Sequence, residues 1–179
     1  MKKATASLVK TLSKWTSEIE CFIPQLPDKF IFNSNSLNNQ EAVNRLLNEI
    51  GNMKGPCIYR IAMKNEDSCS LIKKKFDSFQ RINKPLDKTV RRNISRFICI
   101  ESSCLYVGSK REKIKDRIKQ HLGYGNARTY SMDMKFWFPP KIELTFEIYT
   151  VRLENDLLVL LEQQMWADSK PMFGKQGGL

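Results

Sequence analysis

A glutamate set among leucines is the first residue whose chemistry stands out. Glu162 follows five apolar residues, Leu157 to Leu161, and precedes Met165 and Trp166. A helix that apolar is largely buried, and a buried carboxylate costs several kcal/mol unless it is paired or binds a metal. Leu158 and Met165 fall on nearly the same helical face as Glu162. On spacing alone two readings stay open: a metal-binding carboxylate, or one that emerges beside Gln163 and Asp156 or pairs with Arg117. A second constellation is cationic. Lys113, Arg117 and His121 recur at i, i+4 and i+8. They lie about 100° round the helix from an apolar stripe of Ile114, Ile118 and Leu122. A row that flanks a buried stripe is where a helix presents groups to a cleft.

The elements that must position these groups are legible in outline. SKREKIKDRIKQHL reads as a helix that Gly123 can end, and residues 155–167 as another, closed by Pro171, Gly174, Gly177 and Gly178. IELTFEIY (142–149) alternates strictly, with Ile142, Leu144, Phe146 and Ile148 on one face. That is the pattern of a half-buried antiparallel strand. CIYRIAM (57–63) follows Gly55-Pro56 and reads as a buried strand. FICIE (97–101) and CLYVG (104–108) are short strand runs, forming a hairpin or one strand with a bulge. Upstream, Ala42, Val43, Leu46, Leu47 and Ile50 mark an amphipathic helix over 39–50, with Asn38 and Glu41 as a capping box and Gly51 as C-cap. Residues 4–20 form a further helix. Both upstream helices are expected to pack on the body of the fold. Residues 64–96 are polar and basic, with one short helix.

Composition narrows the function. The 179 residues are 41% hydrophobic and 27% charged, the balance of a globular domain. No apolar run approaches the roughly 18 residues that span a bilayer. The lysines of MKKATASLVKTLSKW precede no apolar signal core, so the expected compartment is cytoplasmic and no membrane partner is expected. Cys21, Cys57, Cys69, Cys99 and Cys104 form no CxxC pair and read as reduced thiols. The single histidine, His121, excludes a two-histidine metal site within one chain. The net charge is +11, and residues 73–119 alone hold 15 basic and 5 acidic residues. Such a block suggests a polyanion partner. It puts forward Lys73, Lys74, Lys75, Arg91, Arg92, Lys110, Arg111 and Lys113 as phosphate contacts.

Four pieces, in order, resemble the GIY-YIG endonuclease family. CIYRI (57–61) looks like its first signature strand, LYVGS (105–109) its second, and the segment holding Ile114, Arg117, Ile118 and His121 its arginine-bearing helix. LEQQMWADSKPMFGK resembles its glutamate helix and exit. The resemblance covers roughly residues 55–179. It implies an α+β fold, a small three-stranded antiparallel sheet flanked by helices, here with an N-terminal helical extension (1–54) packed on a nuclease domain (55–179) that carries a basic insertion at 64–96. It implies a metal-dependent endonuclease that hydrolyses DNA phosphodiester bonds, as a monomer or homodimer, acting on DNA rather than RNA. Glu162 would hold one Mg2+ or Mn2+, Arg117 would stabilise the phosphate, and Tyr106 or Tyr59 would be the candidate general base. His121 matches a position where many members are polar. A free tyrosine has a pKa near 10, so a neutral-pH base needs about 4 kcal/mol of phenolate stabilisation, for which Arg117, Lys110 and the metal are the candidates. Gly108 matches the second motif's glycine, where a missing Cβ lets backbone or phosphate approach.

The chain departs from the family pattern in four places. Cys57 replaces a glycine, Tyr59 and Tyr106 are 47 residues apart, the loop before Arg117 is one residue longer, and Gly174 stands where asparagine is usual. The alternative function is a degenerate module of the same fold that grips nucleic acid without cutting it. A third reading is an adaptor whose basic block is solvated surface.

Overall fold

The computed structural model describes residues 2–20, 26–51, 53–64, 66–99, 101–153 and 155–175. Cys21, Ile100, Gly177 and Gly178 lie outside them. Among the described residues the order is α1 (Lys2–Glu20), β1 (Asp28–Asn33), α2 (Gln40–Ile50), β2 (Cys57–Met63), α3 (Cys69–Asn83), β3 (Cys104–Lys110), α4 (Ile114–Leu122), β4 (Glu143–Thr150) and α5 (Asn155–Ser169).

The sheet grows from β2, whose residues are buried on both faces except at Arg60. The strand order is β1-β4-β2-β3, and every pair is antiparallel. The α+β class therefore stands, but the sheet has four strands where the sequence reading expected three. The added strand is β1, in the extension expected to be helical. DKFIFN is too short to announce itself by alternation. It forms because the outer edge of β4 offers it partners from Asp28 opposite Ile148 to Asn33 opposite Glu143, and because Phe32 is buried there. The described residues of FICIE form no strand: Phe97 makes an isolated bridge to Phe173. The polar stretch after β2 carries a full helix, α3, which buries Cys69, Ile72, Phe76 and Asn83.

Local chemistry sets the helix ends. Asn39, not Asn38, caps α2, its side chain accepting from the N–H groups of Glu41 and Ala42. Asn38 closes a 3-10 turn before it. Gly123 ends α4 at φ +96°, a conformation suited to glycine.

Alternation divides the sheet into two faces. Tyr59, Ile61, Phe146 and Ile148 belong to the main core, which α2, α3 and α4 cover with Val43, Ile72, Ile118 and their neighbours. An aromatic group of Phe76, Phe97, Trp137 and Phe173 closes one end of it. On the other face α5 packs over β3 and β2, where Leu158 joins Ile58, Cys104, Val107 and Val151 in a smaller cluster. Further along that face, Glu147 is buried between Lys29 and Arg60, its register neighbours on β1 and β2, at 3.1 and 2.9 Å. After α5 the chain turns back. The N–H groups of Met172 and Phe173 donate to the carbonyls of Cys104 and Leu105 on the outer edge of β3. α1 keeps Leu8, Val9, Leu12 and Ile19 about half exposed. Cys57, Cys69, Cys99 and Cys104 are free thiols. No described helix is long and apolar enough to cross a membrane.

Candidate active site

The register of β2 and β3 builds the first half of the site. It sets Tyr59 opposite Gly108 and Ile61 opposite Tyr106. The space left by the missing side chain at 108 is filled by Tyr59 itself: a Cβ there would stand 2.6 Å from its Oη and 2.8 Å from its Cζ. Backbone or phosphate, the expected occupants, do not enter it. Freed in this way, the two tyrosine rings lie nearly parallel, 12° apart in tilt and 6.0 Å between centroids. Gly174 fits the same surface. Its φ is +111°, and a Cβ would meet the Tyr106 ring at 3.2 Å, so both backbone and neighbour favour glycine here over any residue with a side chain.

α4 supplies the second half. Its stripe of Ile114, Ile118 and Leu122 is buried, which turns Arg117 and His121 toward the tyrosines. The Arg117 Nε donates to the Tyr59 Oη at 3.1 Å, and one terminal nitrogen to the Tyr106 Oη at 3.0 Å. The other terminal nitrogen donates to Gln120 Oε1 at 3.1 Å and to the Tyr130 carbonyl at 2.8 Å. Four of its five N–H groups are thus committed, all to neutral acceptors. No carboxylate among the described residues forms an ion pair with it. The pairing of Arg117 with Glu162, one of the readings open from sequence, does not occur.

His121 is fully buried rather than displayed on the helix surface. Its Nδ1 accepts from the Met132 N–H at 3.3 Å, so a neutral ring carries its proton on Nε2 and donates it to the Tyr59 Oη, 3.1 Å away. Burial, reinforced by the charge of Arg117, holds the His121 pKa well below its usual 6.5. The Tyr59 oxygen therefore receives two hydrogen bonds. Burial and the charge of Tyr106 nevertheless raise its pKa, against the opposing pull of Arg117, and Tyr59 remains a phenol at neutral pH.

Glu162 reaches the site from the other face. Ser109 points away from the Gly108 side, and its hydroxyl donates to Glu162 Oε2 on half-buried α5. The carboxylate is close enough for its charge to act on Tyr59. It has no cationic partner among the described residues. A half-buried, unpaired carboxylate fits a divalent cation. No group of three or more His, Cys, Asp or Glu residues among those described could hold one, so an ion at Glu162 would keep few protein ligands and several waters, a habit of Mg2+.

A cleft of about 780 Å³ opens beside these groups, lined by Ser109, Lys110, Arg111, Lys113, Arg117 and Leu158 among others. Of the expected phosphate contacts, Lys110, Arg111 and Lys113 thus face one space. Lys74 and Lys75 are exposed on α3 and Arg91 is half-exposed. Lys73 and Arg92 serve the fold instead. Lys73 pairs with Asp77 and sits 5.0 Å from the Phe97 ring, while Arg92 binds the buried Asp133 at 2.7 Å and lies 4.0 Å over Phe136. Sequence reasoning passed over Ser109, Gln120, Tyr130 and Met132. Ser109 was open to discovery, since it follows Gly108 on a strand and must face α5. The backbone groups of Tyr130 and Met132 leave no trace in residue type. Set against protein-family models, curated proteins and solved structures, the chain matches none of them.

Proposed function

We propose that this protein is a divalent-metal-dependent endonuclease of the GIY-YIG type, hydrolysing phosphodiester bonds in DNA. One observation carries the reading: among the described residues a half-buried guanidinium, Arg117, is held only by neutral acceptors, within the same small site as a carboxylate, Glu162, that has no cationic partner among them. A buried charge without a counter-ion is costly, and an anion entering the cleft relieves that cost. Phosphate is an anion whose oxygens the remaining Arg117 N–H and the exposed Lys110, Arg111 and Lys113 can meet.

Each residue then has a separate task. Arg117 holds a fixed positive charge at the phosphate as negative charge builds on its oxygens, with no reorganisation needed because two phenols, an amide and a carbonyl already orient it. Tyr59 is kept protonated and positions Arg117. Tyr106 is half-exposed, receives one hydrogen bond from Arg117, and is the better placed of the two to accept a proton from an attacking water. Mg2+ or Mn2+ on Glu162 would add Lewis-acid charge neutralisation beside them. We place the protein in the cytoplasm, as a monomer or homodimer.

The near-saturation of Arg117 favours a second reading, a binder of the same fold that does not cut. One experiment separates the two. Purified protein is incubated with plasmid and with linear and branched DNAs, in Mg2+, Mn2+ or EDTA. Metal-dependent nicking supports the nuclease; retention of DNA without cutting in either metal replaces it with the binder; neither binding nor cutting removes both.

A further inference from the structure

The cleft at Arg117 does not end at α4. A second recess of about 650 Å³, bounded by Met53, Lys54, Gly55 and Lys115, shares Glu112, Lys113 and Asp116 with it, so the two form one trough. Six cations line it, namely Lys54, Lys110, Arg111, Lys113, Lys115 and Arg117, against two acids. Those acids do not neutralise them: among the described residues neither Glu112 nor Asp116 comes within 4.0 Å of a cationic nitrogen. Lys115 rests on the neutral Asn48 Oδ1 at 3.0 Å. Lys113 stands where the two recesses meet, exposed, with φ at +57°. A lysine in the left-handed region costs roughly 1–2 kcal/mol that glycine or asparagine would largely avoid, and such strain is commonly retained where a side chain must be aimed. Beyond the tyrosines at its Arg117 end no aromatic ring is among the described lining residues, so that stretch offers no platform on which unpaired bases could stack.

We propose that this trough tracks the sugar-phosphate backbone of duplex DNA from Arg117 across Lys113 to the segment before β2, with Lys54, Lys113 and Lys115 contacting phosphates beyond the one at the tyrosines. The proposal rests on the nuclease reading for the identity of its polyanion and extends it. The contact is sequence-independent, it prefers duplex over single strands, and it lies outside the basic insertion 64–96; of its cations the sequence put forward Lys110, Arg111 and Lys113 as phosphate contacts, but neither Lys54 nor Lys115.

The test measures equilibrium binding of a fluorescent 20-base-pair duplex and of one of its strands across a range of KCl, in EDTA so that nothing is cut. The variant combines Lys54→Gln, Lys113→Asn and Lys115→Gln; a control of equal charge combines Lys3→Gln, Lys10→Gln and Lys170→Gln. The variant should bind the duplex at least tenfold more weakly at 100 mM KCl, and its slope of log affinity against log salt should fall by about 2 to 3, close to 0.9 for each phosphate that is no longer neutralised. The control should change the slope by less than 1. Lys113→Asn alone should weaken binding while leaving the melting temperature unchanged or higher, a combination that a purely structural lysine would not give. An unchanged slope, an equal loss in the control, or tighter binding of the single strand overturns the trough. Wild type that binds with a steep slope in EDTA yet never cuts in Mg2+ removes the nuclease reading and leaves the trough standing.

Discussion

The two faces of the sheet hold their functional groups in different ways. On the main-core face Tyr59 and His121 are fully enclosed, and Tyr59, His121 and Arg117 are joined by hydrogen bonds. The opposite face is thinly covered. Leu158 is buried there, but Val159, Leu160 and Leu161 are only half-buried, and among the described residues Glu162 is held by the Ser109 hydroxyl. One half of the site is thus rigid and the other adjustable. The difference teaches where fixed geometry comes from: the core side holds the Arg117 guanidinium by four hydrogen bonds, whereas on the thinly covered side the Glu162 carboxylate rests on the Ser109 hydroxyl.

That contrast can be broken from the adjustable side first. Glu162→Ala should lower the metal-dependent cleavage rate by a factor on the order of 1000, about 4 kcal/mol, while DNA binding and the melting temperature stay close to wild type. Single-turnover cleavage beside calorimetry decides it; full activity in Mg2+ would show that Glu162 is not the ion's ligand. Arg117→Lys acts on the rigid side and should be felt twice. The rate should fall about 100-fold, near 2.7 kcal/mol, and stability by about 2 kcal/mol, because a lysine cannot reproduce four fixed hydrogen bonds. A lowered melting point with normal cleavage would leave Arg117 as scaffold only.

A finer probe is Gly108→Ala, whose methyl group would collide with the Tyr59 hydroxyl. It should cost about 1–3 kcal/mol of stability, and Tyr59→Phe in the same chain should restore part of it. Thermal melting of the two single variants and the double variant measures this coupling, and strict additivity would contradict the packing described. The smallest effect is on pH. The folded pKa of His121 lies below its unfolded value of about 6.5, so below pH 6.5 the unfolded chain gains a proton that the folded chain refuses. Stability should fall by up to about 1.4 kcal/mol per pH unit between pH 6.5 and 5. His121 is the only histidine, so His121→Asn should flatten that slope in a melting-temperature series.

The parts legible in sequence were those governed by local periodicity. The alternation from Ile142 to Ile148 and the stripe of Ile114, Ile118 and Leu122 each repeat often enough to name an element and its buried side, whereas the leucine run before Glu162 named a helix but not its depth, since Leu157 and Leu158 are buried and Val159, Leu160 and Leu161 only half-buried. The parts that escaped are governed by partners far along the chain. β1 owes its strand to β4 more than a hundred residues later. His121 sits beside the apolar stripe on a helical wheel and reads as semi-exposed; the segment of Met132 and Trp137 folds over it. Lys73 and Arg92 look like their basic neighbours, and only Asp77, Phe97 and Asp133 distinguish them. Likewise Arg117 was legible as a cation at a cleft, but the near-complete use of its donors was not, because one acceptor is the backbone of Tyr130.

The return of the chain after α5 has a consequence for how this protein comes into being. Phe173 completes the aromatic group begun by Phe76, and it pairs with the edge of β3 beside Leu105. A ribosome that has made α3, β3 and α4 has therefore not yet made the residue that closes the core around them. Until position 173 leaves the exit tunnel, the nascent chain carries an open strand edge and unfilled space beside Trp137. Folding of this layer therefore waits for Phe173, and a product terminated before that position would be left to chaperones and proteases.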